Sequence, residues 1–306
     1  MTTDRRGFVF GVWAYTLWGL LPLYWPHLKP ASAAEVLAHR VVWSALFAVL
    51  FVVFLARRGG AAARNLLALR TDPRRVRLLT VAGVLIGGNW LAYIWAVNHD
   101  HVVETALGYY INPLMTIAVG VVVLGERLRR PQWVAIAIAG CGVVILTVGY
   151  GRPPWIALFL AVTFAAYSLI KKTVGVGALE GLTVETLVLL PPALIFLGTL
   201  TVTGDSAFGR HGAGHALLLA GAGIATLTPL LLFAGAASRV SLTTLGMLQY
   251  LAPTLQFFIG VVINDEPLPT DRLVGFSLVW TALVLITSDS IRHQRRALRL
   301  AVEAVT

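Results

Sequence analysis

Charged residues and cysteines are both scarce in this sequence. Asp, Glu, Lys and Arg make up 12% of the 306 residues, about half of the roughly 25% found in soluble domains. Cys141 is the only cysteine, which excludes an intramolecular disulfide and a cysteine-based metal site. The chain also lacks a nucleophile elbow, a phosphate-binding loop and a zinc-helix motif. We therefore expect no enzymatic activity, no cofactor, no bound metal and no ATP hydrolysis by this chain alone.

Hydrophobic residues are correspondingly abundant, at 58%, so lipid is the expected solvent for most of the surface. About 20 consecutive apolar residues cross a bilayer as one helix. Such stretches cover residues 7–28, 33–56, 77–98, 102–124, 131–149, 153–170, 180–202, 214–237, 241–264 and 271–290. The sequence therefore predicts an all-α integral membrane protein with ten transmembrane helices.

The basic residues test this count, because Lys and Arg concentrate in the cytoplasmic connections of membrane proteins. Of the 24 Lys and Arg residues, 19 fall on the side of the N-terminus and four on the opposite side, with Arg40 inside a helix. We therefore predict that both termini, including a basic tail at 291–306, lie in the cytoplasm. This topology accounts for the net charge of +10, and no nucleic-acid partner is expected. Residues 64–70 form either a short interfacial helix on anionic lipid or a plain retention signal.

An internal repeat divides the chain into two halves. Thr-Ala-Leu-Gly at 105–108 matches Thr-Thr-Leu-Gly at 243–246. After a slip of two residues, a constant offset of 140 then pairs the following residues: Pro113 with Pro253, Gly120 with Gly260, Glu126 with Glu266 and Leu128 with Leu268. Five predicted helices separate the copies, so they cross the membrane in opposite directions. Residues 7–149 and 153–290 are thus predicted as inverted five-helix repeats, an architecture typical of secondary transporters with a solute site near the bilayer midplane.

Ionisable residues inside these helices need a partner, water or a function. Arg40 is the deepest cation, and Glu104 enters the next helix but one from the same side, so we expect the two to pair. The pair is either a gate, a proton site or a site for a substrate carboxylate, or it is a structural ion pair. Glu35 and His39 share a helix face at spacing i, i+4. Glu185 corresponds to Glu35 under inversion, and either alternates with it in a proton-coupled carrier or snorkels to the interface.

Other polar and aromatic side chains form stripes along the predicted helices, and proline or glycine accompanies them. The remaining predicted pathway residues are Trp18, Asn89, Tyr93, Asn112, Gln249, Tyr250 and Gln256. The predicted kinks or hinges are Gly108, Pro113, Gly246 and Pro253, because proline removes a helical hydrogen bond. Trp18 and Tyr93 either line the pathway or belong to interfacial belts, whereas Trp25 is expected to be an interfacial anchor. The stretch 99–101 is favoured as a solvated loop over a metal site.

Several of these stripes belong to longer segments that resemble the RarD permeases of the drug/metabolite transporter superfamily, which are related to the EamA transporters. The segments are 15–25, 35–40, 89–98, 104–113, 125–128, 185–187 and 245–256. They extend over nearly the whole chain. One departure is Asn-Asp-Glu-Pro at 264–267, where the first half has Leu-Gly-Glu-Arg at 124–127, so the two halves are not fully symmetric there.

The resemblance implies ten helices in two inverted sets of five, a bacterial inner-membrane location, and export or exchange of small solutes. The family name implies a link to chloramphenicol sensitivity. We therefore expect a secondary transporter that works by alternating access, either proton-coupled or an exchanger, with membrane lipid and a small solute as its partners. The alternative is a polytopic protein that does not transport, such as a lipid-modifying enzyme or a receptor-like scaffold.

Overall fold

The computed structural model describes residues 4–99, 102–150 and 153–263, together with separate residues between 273 and 288. Within these ranges the chain is helical and contains no strand. The helices are α1 Arg5–Leu20, α2 Ala33–Arg57, α3 Ala62–Ala68, α4 Pro73–Asn98, α5 Val102–Val122, α6 Arg130–Tyr150, α7 Trp155–Thr173, α8 Ala178–Thr203, α9 Gly212–Ala237, α10 Leu242–Gln249 and α11 Leu251–Phe258. A π-helical turn, Ile259–Ile263, continues from α11.

Five of these helices, α2, α4, α7, α8 and α9, are long and apolar enough to cross a membrane. They coincide with predicted spans to within a few residues, and the chain is a multi-pass membrane protein. The predicted span 271–290 lies largely outside the described residues. Helix α3 falls on the basic connection, where a short helix was one of the two expectations, and its Asn65 contacts the start of α8.

The first predicted span, 7–28, is wrong as a single helix. Helix α1 ends at Leu20, and the 3-10 turns Leu21–Leu23 and Trp25–Leu28 follow it. Each turn has a proline near its start, Pro22 and Pro26. Proline cannot donate a backbone hydrogen bond and disfavours α-helical geometry in the residue before it. These tighter turns change the direction of the chain after Leu20, so Trp25 does not continue the helix face that carries Tyr15 and Trp18.

The span predicted at 241–264 is interrupted in its middle. Helix α10 stops at Gln249, Tyr250 is a turn residue, and α11 begins at Leu251. Pro253 lies one turn beyond Gln249 and cannot donate to its carbonyl, which weakens the helix at this point. Helix α5, in contrast, is continuous through Pro113. The expected interruption is thus found near only one of the two prolines.

The helices alternate in direction across the bundle, so it has two ends. At one end the carboxylate of Glu126 meets the start of α10, and we call it the Glu126 end. At the other, Glu35 near the start of α2 meets the α8–α9 connection, and we call it the Glu35 end. Helices α1, α4, α8 and α10 begin at the Glu126 end, whereas α2, α5, α7 and α9 begin at the Glu35 end.

The packing joins early helices to late ones. Helix α1 packs on α9 and α11, α2 on α8 and α9, α4 on α7 and α8, and α5 on α7 and α10. A group of aromatic rings fills the centre and comes from α1, α7 and α9: Tyr15, Trp18, Phe164, Tyr167 and Phe233. The two parts of the chain therefore share one core and do not fold as separate domains.

Candidate functional site

Arg40 lies where α2, α4 and α9 meet, and its guanidinium is held between aromatic rings. Its Cζ atom is 5.0 Å from the centre of the Trp25 ring and 4.8 Å from that of Trp90. Its Nε donates a 2.8 Å hydrogen bond to Oγ1 of Thr226. Rings on a guanidinium stabilise its charge through cation–π interaction. Trp25 therefore stabilises a charge inside the bundle rather than acting only as the interfacial anchor that we expected.

Two tyrosines complete this surrounding. The rings of Tyr93 on α4 and Tyr109 on α5 are 5.9 Å apart, and both hydroxyls lie within electrostatic reach of the guanidinium. Arg40 and Tyr93 are partly exposed, and Tyr109 is 36% exposed. We call these residues the Arg40 cluster: Trp25, Arg40, Trp90, Tyr93, Tyr109 and Thr226. These residues are far apart in the sequence, from Trp25 to Thr226, and tertiary packing brings them together.

Glu185 of α8 faces the same cavity as Arg40. The cavity has a volume of about 10 Å³ and its polar lining includes Ser44, Thr186 and Thr226. The carboxylate of Glu185 is already paired: Nζ of Lys171 donates to it at 2.7 Å, and the hydroxyl of Tyr167 donates to it at 3.1 Å. Both charges are buried, with side chains 3% and 1% exposed. Glu185 therefore does not snorkel to the interface.

Glu35 and His39 lie together at the Glu35 end, as their spacing predicts. One carboxylate oxygen of Glu35 accepts from Oγ of Ser206 at 2.9 Å and from the backbone N–H groups of Ala207 and Phe208 at 2.8 and 3.3 Å. The His39 ring stacks on Phe208 at 4.8 Å and is 3.9 Å from the carboxylate. A cavity of about 300 Å³ opens beside His39. These bonds hold the α8–α9 connection against α2.

The predicted pairing of Arg40 with Glu104 is not formed. Glu104 instead accepts the backbone N–H of Ile156 at 2.7 Å. This carboxylate therefore caps the first turn of α7, where helical N–H groups lack partners and the helix dipole favours a negative charge. Arg40 meets Thr226 and the aromatic rings described above. Arg40 is therefore bonded to α9 and Glu104 to α7, and the two side chains do not bond each other.

Three other predicted pathway residues make contacts between helices. Nδ2 of Asn89 donates to the carbonyl of Leu160 at 2.9 Å and to Oγ1 of Thr163 at 2.8 Å, which ties α4 to α7. Nε2 of Gln256 donates to the carbonyl of Trp18 at 3.3 Å, which ties α11 to α1. The ring of Trp18 belongs to the central aromatic group. These contacts give the three residues a packing role in this conformation.

Asn112, Gln249 and Tyr250 are different, because buried polar atoms on them lack a hydrogen-bond partner within the described part of the chain. These atoms are Oδ1 of Asn112, both amide atoms of Gln249 and the hydroxyl of Tyr250. An unsatisfied buried polar group costs about 1–3 kcal/mol. Such groups often mark places where water or a ligand supplies the missing bond. They lie on α5 and at the α10–α11 junction.

The small residues predicted as hinges mark close helix contacts. A Cβ at Gly246 would lie 2.7 Å from the carbonyl oxygen of Pro113, so α10 and α5 touch backbone to backbone there. A Cβ at Gly108 would lie 3.3 Å from Cα of Ala157 on α7. These glycines permit crossing of helices at short distance. Pro113 and Pro253 are both buried at this level of the bundle.

Several contributors were missed from the sequence. Thr226 gave no signal, since a threonine in an apolar helix is ordinary. Lys171 was counted only as a topological charge, although it is the partner of Glu185. Glu126 entered only as part of a repeated motif, yet it accepts three hydrogen bonds from Leu242 and Thr243. These partners are far apart in sequence, so local spacing could not reveal them.

Comparisons with known proteins define the class. Residues 5–148 match the EamA-like transporter family. Protein RarD of Streptomyces exfoliatus is 52% identical over 98% of this chain and 94% of its own, and Protein RarD of Escherichia coli (strain K12) is 42% identical over 95% and 97%. An uncharacterized transporter, YojE, of Bacillus subtilis (strain 168) is 40% identical over 95% and 96%. One solved crystal structure matches with a TM-score of 0.70 at 18% identity over 94% of this chain and 98% of that one, which supports the fold alone.

The apolar helices and these matches define a multi-pass membrane transporter of the drug/metabolite type, set in lipid and acting on a small molecule. The chain belongs to the RarD family of EamA-like transporters. The names of the family and its relatives point to a transporter rather than to an enzyme.

Proposed function

We propose that this protein is a secondary transporter that moves a small organic solute across the bacterial inner membrane by alternating access between two inverted five-helix halves, 7–149 and 153–290. The observation that carries this proposal is the reciprocal packing of the helices. Taking α1, α2, α4 and α5 as counterparts of α7, α8, α9 and α10–α11, the contact of α1 with α9 recurs as that of α7 with α4. Likewise, α2 with α9 recurs as α8 with α4, and α5 with α7 recurs as α10–α11 with α1.

Each counterpart helix also begins at the opposite end of the bundle, as an inverted repeat requires. Such symmetry supports alternating access, because exchanging the conformations of two inverted halves turns a site from one side of the membrane to the other. In this proposal the solute site lies at the Arg40 cluster, to which both halves contribute. The unsatisfied atoms of Asn112, Gln249 and Tyr250 extend the pathway along α5 and α10.

We infer further that the Glu35 end faces the exterior, because the connections at the Glu126 end carry most of the Lys and Arg residues. A proton gradient or an exchanged solute supplies the driving force in this proposal. The direct test is uptake into proteoliposomes of amino acids, organic acids and chloramphenicol, with and without a pH gradient. Chloramphenicol is included because a 29% identical relative from Pseudomonas aeruginosa is named chloramphenicol-sensitive protein RarD.

The single native cysteine allows a sharper test of the mechanism. In a Cys141→Ser background, cysteine is placed at His39 beside the Glu35-end cavity or at Gln249 near the α10–α11 junction. Alternating access predicts that a transported solute raises labelling by a membrane-impermeant maleimide at one position and lowers it at the other. Saturable uptake is expected as well. Flux that never saturates, or labelling of both positions that no transported solute changes, would contradict the proposal.

A further inference from the structure

The edge of the Arg40 guanidinium is available to a ligand. A guanidinium has five N–H donors, and the described contacts use only the Nε donor, on Thr226. Trp25 and Trp90 lie at 5.0 and 4.8 Å from Cζ, so two ring contacts fix the position of the group. No carboxylate forms a hydrogen bond or ion pair with Arg40 anywhere in the described ranges. The terminal N–H groups therefore form a fork of the kind that binds carboxylates in a bidentate manner.

Among the described residues, no free anion balances the charge of this fork. Thr226 and the two tryptophans are neutral, and Tyr93 and Tyr109 offer hydroxyl groups. Glu185 lines the same cavity, but Lys171 already neutralises it at 2.7 Å. A cation inside a membrane protein is expensive unless an anion or water compensates it. An anion from outside the chain is the group that this arrangement lacks.

We propose that the Arg40 cluster binds the carboxylate of an organic anion with an apolar body. The carboxylate accepts two hydrogen bonds from the guanidinium fork, and the hydroxyls of Tyr93 and Tyr109 are placed to assist. The body faces the apolar lining of the adjoining cavity, which includes Ile86, Leu182 and Leu230. That cavity has a volume of about 10 Å³, about the smallest space that holds one water molecule. The apolar body of the ligand therefore enters only when the surrounding helices separate.

This inference rests on the proposed function only in taking the bound anion as the transported solute. The test therefore measures binding, with no gradient and no flux. Phenylacetate and phenylacetamide are matched probes, because they have nearly the same shape and only the first is charged. Each is titrated against the purified full-length protein by calorimetry, and its effect on the thermal unfolding midpoint is recorded.

We expect phenylacetate to bind the native protein at least about tenfold more tightly than phenylacetamide, as two charge-assisted hydrogen bonds allow. In Arg40→Gln this preference falls to within about twofold. Arg75→Gln is the matched control, because Arg75 is an exposed arginine that is paired with Asp72 and lies away from the site. We expect this variant to keep the full preference for phenylacetate. Arg40→Lys retains part of it, because an ammonium keeps the charge and loses the fork.

If Arg40→Gln fails to fold, Tyr109→Phe provides the second variant and lowers the preference without removing the cation. Equal binding of acid and amide by the native protein overturns the proposal. So does an acid preference that is undiminished in Arg40→Gln, or undiminished in Tyr109→Phe where that variant alone folds. A third arm adds phosphatidylglycerol: Arg40-dependent binding of this lipid without binding of phenylacetate assigns the fork to a lipid phosphate and also overturns it. Binding of phenylacetate without uptake of any solute counts against the transport mechanism and leaves the anion site standing.

Discussion

Arg40 and Glu185 occupy the same position in α2 and α8, but their surroundings differ. Each is the eighth residue of its helix, counted from Ala33 in α2 and from Ala178 in α8, and both line one cavity. Glu185 has a lysine and a tyrosine on its carboxylate. Arg40 has aromatic faces and one hydroxyl. The charge of Glu185 is therefore neutralised and buried within the protein, whereas the charge of Arg40 remains available to a ligand.

The largest effect is expected at the sealed charge. Glu185→Leu leaves Lys171 buried without its partner, and breaking a buried pair by removing one member costs about 3–5 kcal/mol. The double variant Glu185→Leu, Lys171→Met removes both charges and should regain most of that stability. Unfolding in detergent, followed by circular dichroism, measures both. Equal losses in the single and the double variant would show that the pair does not act as a unit.

A somewhat smaller effect is expected five residues earlier in the same two helices, at Glu35 and Glu180, each the third residue of its helix. Glu35 holds three groups of the α8–α9 connection, whereas the bond described for Glu180 comes from Nδ2 of Asn65 at 3.1 Å. Glu35→Gln should cost about 1.5–3 kcal/mol and Glu180→Gln about half of that. Faster proteolysis of the α8–α9 connection in the first variant provides an independent readout. The reverse order would contradict the geometry.

At the open charge we expect a modest loss of stability and a large loss of activity. Arg40→Gln removes one hydrogen bond and two cation–π contacts, about 1–2 kcal/mol in all at a partly exposed site. Solute uptake should fall at least about tenfold, because the solute loses its charged partner. The ratio of these effects separates Arg40 from Glu185. If Arg40→Gln unfolds the protein as readily as Glu185→Leu, Arg40 is a structural residue.

The smallest effect concerns the pair that sequence spacing suggested. Because Arg40 and Glu104 lie on separate networks, Arg40→Gln and Glu104→Gln should change stability additively, with a coupling energy below about 0.5 kcal/mol. A double-mutant cycle on thermal unfolding measures this energy. A coupling energy well above that limit would show that Arg40 and Glu104 interact directly after all. The cycle of Arg40 with Thr226 is the positive control, since those side chains are bonded at 2.8 Å.

Sequence reasoning located the helices well because lipid imposes simple rules. A helix in a bilayer must be about 20 apolar residues long, and side-chain caps mark several helix starts, such as Ser32 before α2 and Asp72 before α4. The first span failed because its apolar run continues past Leu20, whereas Pro22 and Pro26 lie at the starts of two 3-10 turns that replace the α-helix there. Hydropathy reports solvent preference and carries no information on backbone geometry.

The sequence identified several residues of the candidate site, but it did not identify the side chains that contact them. Arg40, Tyr93 and Glu185 were identified because a polar group in lipid demands an explanation. Their partners could not be read from spacing, since Thr226, Lys171 and Trp25 reach them through tertiary packing. The sequence paired Glu185 with Glu35, whereas counting from the helix starts pairs Glu35 with Glu180, five residues before Glu185. Inversion could be inferred from the repeat, but its register depends on where each helix begins.

The Glu126 carboxylate constrains how the bundle can change shape. It follows α5 and accepts two backbone N–H groups and one hydroxyl at the start of α10, at 2.6 to 2.8 Å. Pulling these ends apart would leave three donors and a carboxylate without their partners at a partly buried place, which costs free energy. We therefore expect α5 and α10 to stay joined at this junction when the bundle changes shape. A change in the angle between them would then displace the break in the helix at Tyr250.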